Sequence, residues 1–198
     1  MLHDVIAAQA TPPGRSAVAL IRMSGEGAFD VARQVVMDFT TSQPRRQKLA
    51  RVHHPRSGDV LDDVLYAVFP APASYTGEDL VEVTCHGGLL APVEVLGALY
   101  AAGARPALAG EFTRRAVLHG KLDLLQAEAI GDLVDATAPA QRRAALFQLD
   151  RGTSARIGAL RERVLELEAL ISYDIDFPEE DDGPVAPERI AAALAGRT

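Results

Sequence analysis

The chain has 198 residues, 48% of them hydrophobic, enough for one or two domains with a sizeable core. Aromatics are only 5% and tryptophan is absent, so that core is built mostly from Ala, Val and Leu. The formal net charge of −7 excludes a bulk polyanion binder, whose affinity needs a broad basic footprint.

In chain order, residues 5–10 and 17–23 are short apolar runs that predict buried strands. Thr11-Pro12-Pro13-Gly14 between them is a turn, because two prolines remove two backbone donors and no central strand can continue there. Residues 25–38 predict a helix whose apolar stripe is Ala28, Val31, Ala32, Val35 and Val36. Arg45, Arg46, Lys48 and Arg51 make a local basic cluster, read as a solvated loop rather than a binding face. Strands are expected at 48–54, 60–69 and 80–85. Gly87-Gly88 then turns the chain into a helix over 89–102, ended by Gly103.

Beyond about Gly120 the periodicity is helical only. Asp123 is a good N-cap, and Leu122, Leu125, Ala129, Leu133 and Ala136 around it recur at steps of three and four. Leu146, Leu149, Thr153, Ile157, Leu160, Val164, Leu167 and Ile171 come close to a heptad repeat and predict one long helix over 139–173. Pro139 suits its first turn, while Gly152 and Gly158 each cost up to ~1 kcal/mol relative to Ala. Asp176-Phe177-Pro178 ends it, the acidic run 179–182 reads as a solvated linker, and 186–195 is a last short helix. The fold class is therefore α+β. A mixed-sheet module over 1–120 is followed by an all-α segment over 121–198, whose heptad seam lacks enough helices to cover it.

Cys85 is the only cysteine, which rules out an intrachain disulfide and a cysteine-rich zinc site and fits a reducing cytoplasm. The five histidines show no pair at helical ligand spacing, so no metal site is expected. No apolar run reaches the roughly 18 residues of a membrane helix. A G-x-x-x-x-G-K-[ST] loop does not occur, so these residues carry no Walker-type phosphate cradle. The most informative stretch is 110–136, GEFTRRAVLHGKLDLLQAEAIGDLVDA, where Lys121 stands in a turn at the mouth of a helix near Glu111, Arg114 and Arg115. Such an arrangement suits an anionic ligand, but spacing alone favours a domain junction with a solvated basic edge.

The wording of that stretch resembles the MnmE/TrmE family of tRNA-modification GTPases. Three further blocks do so in the family's order: DVIAAQATPPGRSAVALIRMSG over 4–25, PAPASYTGEDLVEVTCHGG over 70–88, and DIDFPEE over 174–180. The resemblance implies the family's amino-terminal dimerisation and folate-binding module, related in shape to that of the glycine-cleavage T-protein, plus the first part of its helical domain. It implies 5-formyl-tetrahydrofolate as the cofactor here, with Arg22, Glu82 and Lys121 as its binding residues. Read alone, Arg22 is a charge at a strand end, Glu82 the polar face of a half-buried strand and Lys121 a turn lysine. His86 is either a local backbone partner or a ligand contact, and 76–79 is a turn that shapes the site.

The resemblance further implies a parent protein that modifies the wobble uridine of tRNA (a 5-carboxymethylaminomethyl-type modification), a homodimer, and a flavin-dependent partner of the MnmG/GidA type. GTP, magnesium and potassium belong to the GTPase domain, so this chain is expected to be an amino-terminal fragment or a truncated gene product that neither hydrolyses GTP nor carries a catalytic residue. Cys85 should not be mistaken for the family's reactive cysteine, which lies near its far carboxyl terminus. The chain departs from the family pattern at Ser16-Ala17, where two glycines are common, at His119 for Asn, and at Ala109 for Pro. Added Cβ atoms at 16–17 are expected to narrow the backbone approach near Arg22. The rivals are a folate-dependent aminomethyltransferase, for which no catalytic carboxylate motif is found, and a ligand-free structural dimerisation module.

Overall fold

The computed structural model describes residues 4–176 and Ala191. The chain divides into two compact units between Leu122 and Asp123.

The first unit is built on one mixed six-stranded sheet. Its strands are β1 (Ile6–Gln9), β2 (Gly14–Ser24), β3 (Lys48–His53), β4 (Val60–Phe69), β5 (Leu80–Gly88) and β6 (Arg105–Pro106), in the order β3-β4-β5-β2-β1-β6. Neighbours are antiparallel except β1 and β6, which run parallel. Strand alternation assigns the faces. Ala19, Ile21 and Met23 of β2, Val64, Tyr66 and Val68 of β4, and Val81, Val83 and Cys85 of β5 share one buried core. Helices α1 (Ala28–Val35) and α2 (Ala91–Ala101) close that core with Ala28, Val31, Ala32 and Val35, and with Val95, Ala98 and Leu99. The intervening residues, among them Arg22 and Glu82, therefore lie on the opposite face of the sheet.

Three elements differ from expectation. Gly87 and Gly88 do not end the strand but continue β5, with Gly88 opposite Gly14. A Cβ on Gly87 would stand 2.1 Å from the Ser16 carbonyl oxygen, so the glycine is what lets β2 approach. Residues 16–17 sit in the irregular stretch of β2 between Gly14 and Val18. A third helix, α3 (Glu111–Leu118), and the two-residue β6 were not expected. The helix is short and heavily charged, and it opens from Gly110 in the left-handed region (φ 71).

The second unit is helical. Helix α4 (Leu124–Asp135) starts at a capping box: Gln126 N–H donates to Asp123 Oδ1 at 2.8 Å, and Asp123 N–H to Gln126 Oε1 at 3.1 Å. Helix α5 (Pro139–Leu149) is tied to it by reciprocal amides, Gln126 Nε2 to the Leu149 carbonyl at 2.7 Å and Gln148 Nε2 to that of Leu125 at 2.9 Å. The single helix expected over 139–173 is broken. Helix α6 (Gly152–Asp176) begins only after Asp150 caps α5 and Arg151 turns left-handed (φ 63). The Phe147 ring lies where a Cβ on Gly152 would be, with ring atoms 2.3–2.6 Å away, so Gly152 is the residue that permits this tight corner. Ile157, Leu160, Val164 and Ile171 of the expected seam are exposed. The acidic run 179–182 and the helix expected at 186–195 lie outside the described residues, apart from Ala191, which is helical. Among the described residues no helix is long and apolar enough to cross a membrane.

Candidate functional site

Antiparallel pairing of β2 and β5 places Arg22 directly opposite Glu82. The guanidinium donates through Nε at 3.0 Å and Nη2 at 2.7 Å, both to Glu82 Oε1. No described donor is paired with Oε2. Both side chains are about one quarter exposed, so the pair is neither dry nor freely solvated. Two aromatic rings flank the guanidinium, with centroids 5.2 Å (Tyr75) and 5.8 Å (Phe112) from its carbon.

Lys121 does not touch that pair. Its Nζ donates to the Pro72 carbonyl at 3.0 Å. Pro72 and Tyr75 belong to one segment, residues 70–79, which joins β4 to β5. That segment is fastened at several points. Tyr75 Oη and Thr113 Oγ1 are 2.9 Å apart, and His119 Nδ1 lies 2.8 Å from the Thr76 carbonyl oxygen. A Cβ on Gly77 (φ 81) would come within 2.9 Å of His119 Cβ and 3.3 Å of Lys121 Cγ. The turn thus lies flat against the 119–121 corner because residue 77 is glycine. The structure brings Arg22 and Glu82 into contact and links Lys121 to them through residues 72–75.

Sequence reasoning missed the aromatic flank, Tyr75 and Phe112. It also missed a charge cluster beside it. Arg115 reads as part of a basic edge but is 1% exposed. It donates through Nη1 to the Asp4 carbonyl (2.8 Å) and to both Glu78 oxygens (3.1 and 3.2 Å). Its Nη2 reaches Asp4 Oδ1 at 2.7 Å and Glu111 Oε1 at 3.4 Å. Arg105 bridges Asp4 and Glu111 from the other side, with Nη2 to Glu111 Oε1 at 2.6 Å and Nη1 to Oε2 at 2.9 Å. The available signal was the i,i+4 spacing of Glu111 and Arg115 on one helix. His86 pairs instead with β4: its Nδ1 lies 2.6 Å from Asp62 Oδ1, and its ring is mostly exposed. Cys85 is buried, and burial pushes its thiol pKa up, which leaves it unreactive.

The cluster sets a pH dependence. Hydrogen bonds from Arg105, first of all, hold Asp4 at about 2 against an ordinary 3.8, and Glu111 at about 2 against 4.5. Folded carboxyl groups with depressed pKa stabilise fully above their unfolded pKa, and that stability is lost as pH falls through the folded value. The unit should hold full stability above about pH 5 and lose it progressively between about 4.5 and 2. Glu111→Gln is expected to cost on the order of 2 kcal/mol at pH 7 and to flatten that acid limb. Urea midpoints measured from pH 7 to 2.5 check it; an unchanged acid slope in the variant would contradict it.

The Arg22–Glu82 pair thus lies between two aromatic rings, and Lys121 is tied to the segment that carries one of them. Comparison with known proteins agrees with the resemblance noted above. Residues 5–121 match the family described as GTP-binding protein TrmE N-terminus, and residues 124–196 match the MnmE helical domain. The chain is 47% identical over 191 residues to a tRNA modification GTPase MnmE of Halorhodospira halophila, covering 96% of this chain and 40% of that protein. It is 47% identical over 193 residues to a protein of the same name from Thermus thermophilus (95% and 44%). With that of Akkermansia muciniphila it shares 44% over 191 residues (96% and 42%). The chain spans about two fifths of the length of these curated relatives.

Proposed function

Since the chain belongs to the MnmE family of tRNA modification GTPases, as its amino-terminal domain and helical domain, we propose that its first unit binds 5-formyl-tetrahydrofolate through Arg22, Glu82 and Lys121. The observation that carries this reading is the cross-strand Arg22–Glu82 pair, flanked by Tyr75 and Phe112 and joined to Lys121 through residues 72–75. A pterin edge displays a row of N–H donors, which calls for a charged acceptor such as a carboxylate oxygen. Glu82 Oε2 is the open position for such a donor. Arg22 stays beside it as counter-charge, held in place by the two rings. The glutamate tail of the folate is anionic and suits Lys121, the compact cation at the corner of the site.

The unit serves as a homodimerisation module in this reading, and the parent protein takes part in modifying the wobble uridine of tRNA in the cytoplasm. A flavin-dependent protein of the MnmG/GidA type is the partner in that chemistry. GTP, magnesium and potassium belong to the GTPase domain, whose phosphate-binding loop does not occur in these 198 residues. The role of this chain is to bind and to assemble, with no catalytic residue of its own.

Calorimetric titration with 5-formyl-tetrahydrofolate tests the reading. The wild-type chain should bind, and light scattering of the same sample should give twice the chain mass. Lys121→Ala should weaken binding about tenfold, the size of one exposed charge-assisted contact, and the loss should shrink as salt rises. Absence of binding by a folded wild-type dimer would end the folate reading.

A further inference from the structure

We propose that Arg115 is a positioning residue for this ligand site, holding residues 70–79 and α3 in the shape that receives the folate; the inference rests on the folate reading above. Arg115 touches none of Arg22, Glu82 and Lys121. It acts through two routes that both end at them. The first runs through Glu78, whose side chain is 9% exposed and takes Arg115 Nη1 on both oxygens. Glu78 also accepts from Ser24 Oγ at 2.9 Å, and Ser24 Oγ lies 2.7 Å from Thr76 Oγ1. Ser24 stands two residues from Arg22 on β2. Residues 76–78 are thereby locked to the strand that presents Arg22. The adjoining Tyr75 and Pro72 are the residues that meet Arg22 and Lys121.

The second route is α3 itself. This eight-residue helix carries Phe112, which flanks Arg22, and Thr113, which bonds Tyr75. The same helix carries Arg115, whose fork grips the Asp4 carbonyl and carboxylate. One side chain fixes three segments: residue 4 before β1, residue 78 before β5, and α3. A planar guanidinium with five donors can do this, and a lysine ammonium cannot reproduce the fork.

Breaking one contact of this cluster costs stability, but stability alone does not account for its layout. Three carboxylates surround two guanidinium groups, and Arg115 Nε is buried without a partner. Buried ion clusters of this kind are often replaceable by apolar side chains at no loss of stability. What they supply is orientation, which matters where ring and charge must meet a planar ligand.

The experiment compares wild type with Arg115→Met, Arg115→Lys and Glu78→Gln in the 198-residue chain. It reads affinity for 5-formyl-tetrahydrofolate by calorimetry and amide exchange by mass spectrometry. Arg115→Met is expected to lose at least tenfold in affinity. Exchange should speed up at least tenfold over 70–79 and stay unchanged in β2 and β5. Arg115→Lys should recover only part of the affinity. Glu78→Gln added to Arg115→Met should cost less than it does alone, because both act through one contact. A folded Arg115→Met with wild-type affinity, or with unchanged exchange over 70–79, overturns the proposal. If Arg115→Met does not fold, Glu78→Gln decides by the same two readouts. If wild type itself fails to bind, the folate reading falls. Exchange over 70–79 still decides the positioning role, and an unchanged loop overturns it.

Discussion

Glu82→Ala should lower the affinity for 5-formyl-tetrahydrofolate by ten- to a hundredfold while leaving the melting temperature of the chain nearly unchanged. The two halves of this expectation have different causes. A charge-assisted hydrogen bond to a ligand is worth about 1.5–3 kcal/mol, and its loss leaves pterin donors unpaired in the bound state. The Arg22–Glu82 pair in the free protein is one quarter exposed, and ion pairs with that much solvent contribute only about 0–1 kcal/mol to stability. Glu82→Gln should lose nearly as much affinity, because its amide turns a donor toward donors. Calorimetry on both variants, with thermal unfolding alongside, checks this. Wild-type affinity in a folded Glu82→Ala chain would remove Glu82 from the site.

Gly25→Ala should cost about 3 kcal/mol or more of folding stability. Gly25 has φ 137, and a Cβ there would lie 2.4 Å from the Asp4 carbonyl oxygen and 2.9 Å from Val5 Cα. Both obstacles are backbone, so no rotamer change relieves them. That same Asp4 carbonyl accepts from Arg115, so the displacement would reach the buried charge cluster. Gly58→Ala is the control. It has φ 78 but open space around it, so it isolates the dihedral cost at about 1 kcal/mol. Urea midpoints of the two variants should differ clearly; equal midpoints would mean that β1 can move away from residue 25 without penalty.

The parts of the fold that could be read from the sequence are those whose signal is local. β4 spans the expected residues 60–69, and the core positions of β2 and β5 alternate as a period of two requires. The stripe of α1 and the Asp123 cap needed only spacing and one N-cap residue. The failures are non-local or conformational. β6 is two residues long and exists by pairing with β1 across about a hundred residues. The corner between α5 and α6 preserves the heptad spacing, so periodicity could not reveal it; only Gly152 hinted at the Phe147 ring. At the site, the resemblance named Arg22 and Glu82 but not their contact, which needs a register spanning sixty residues. The burial of Arg115 was hidden because charge alone predicts exposure, and its partners come from positions 4 and 78 as well as its own helix.

The placement of Arg22 opposite Glu82 by the ladder between β2 and β5 carries a consequence for folding. Side chains alternate along each strand, so a slip of one residue would send one member of the pair to the far side of the sheet. No adjustment of rotamers could restore it. The site is therefore assembled only by correctly registered chains, and a pterin-like ligand would bind those and ignore the mispaired ones. If the first unit binds folate as proposed, ligand added during refolding should favour the aligned sheet over a slipped one, because only the aligned sheet offers it a site.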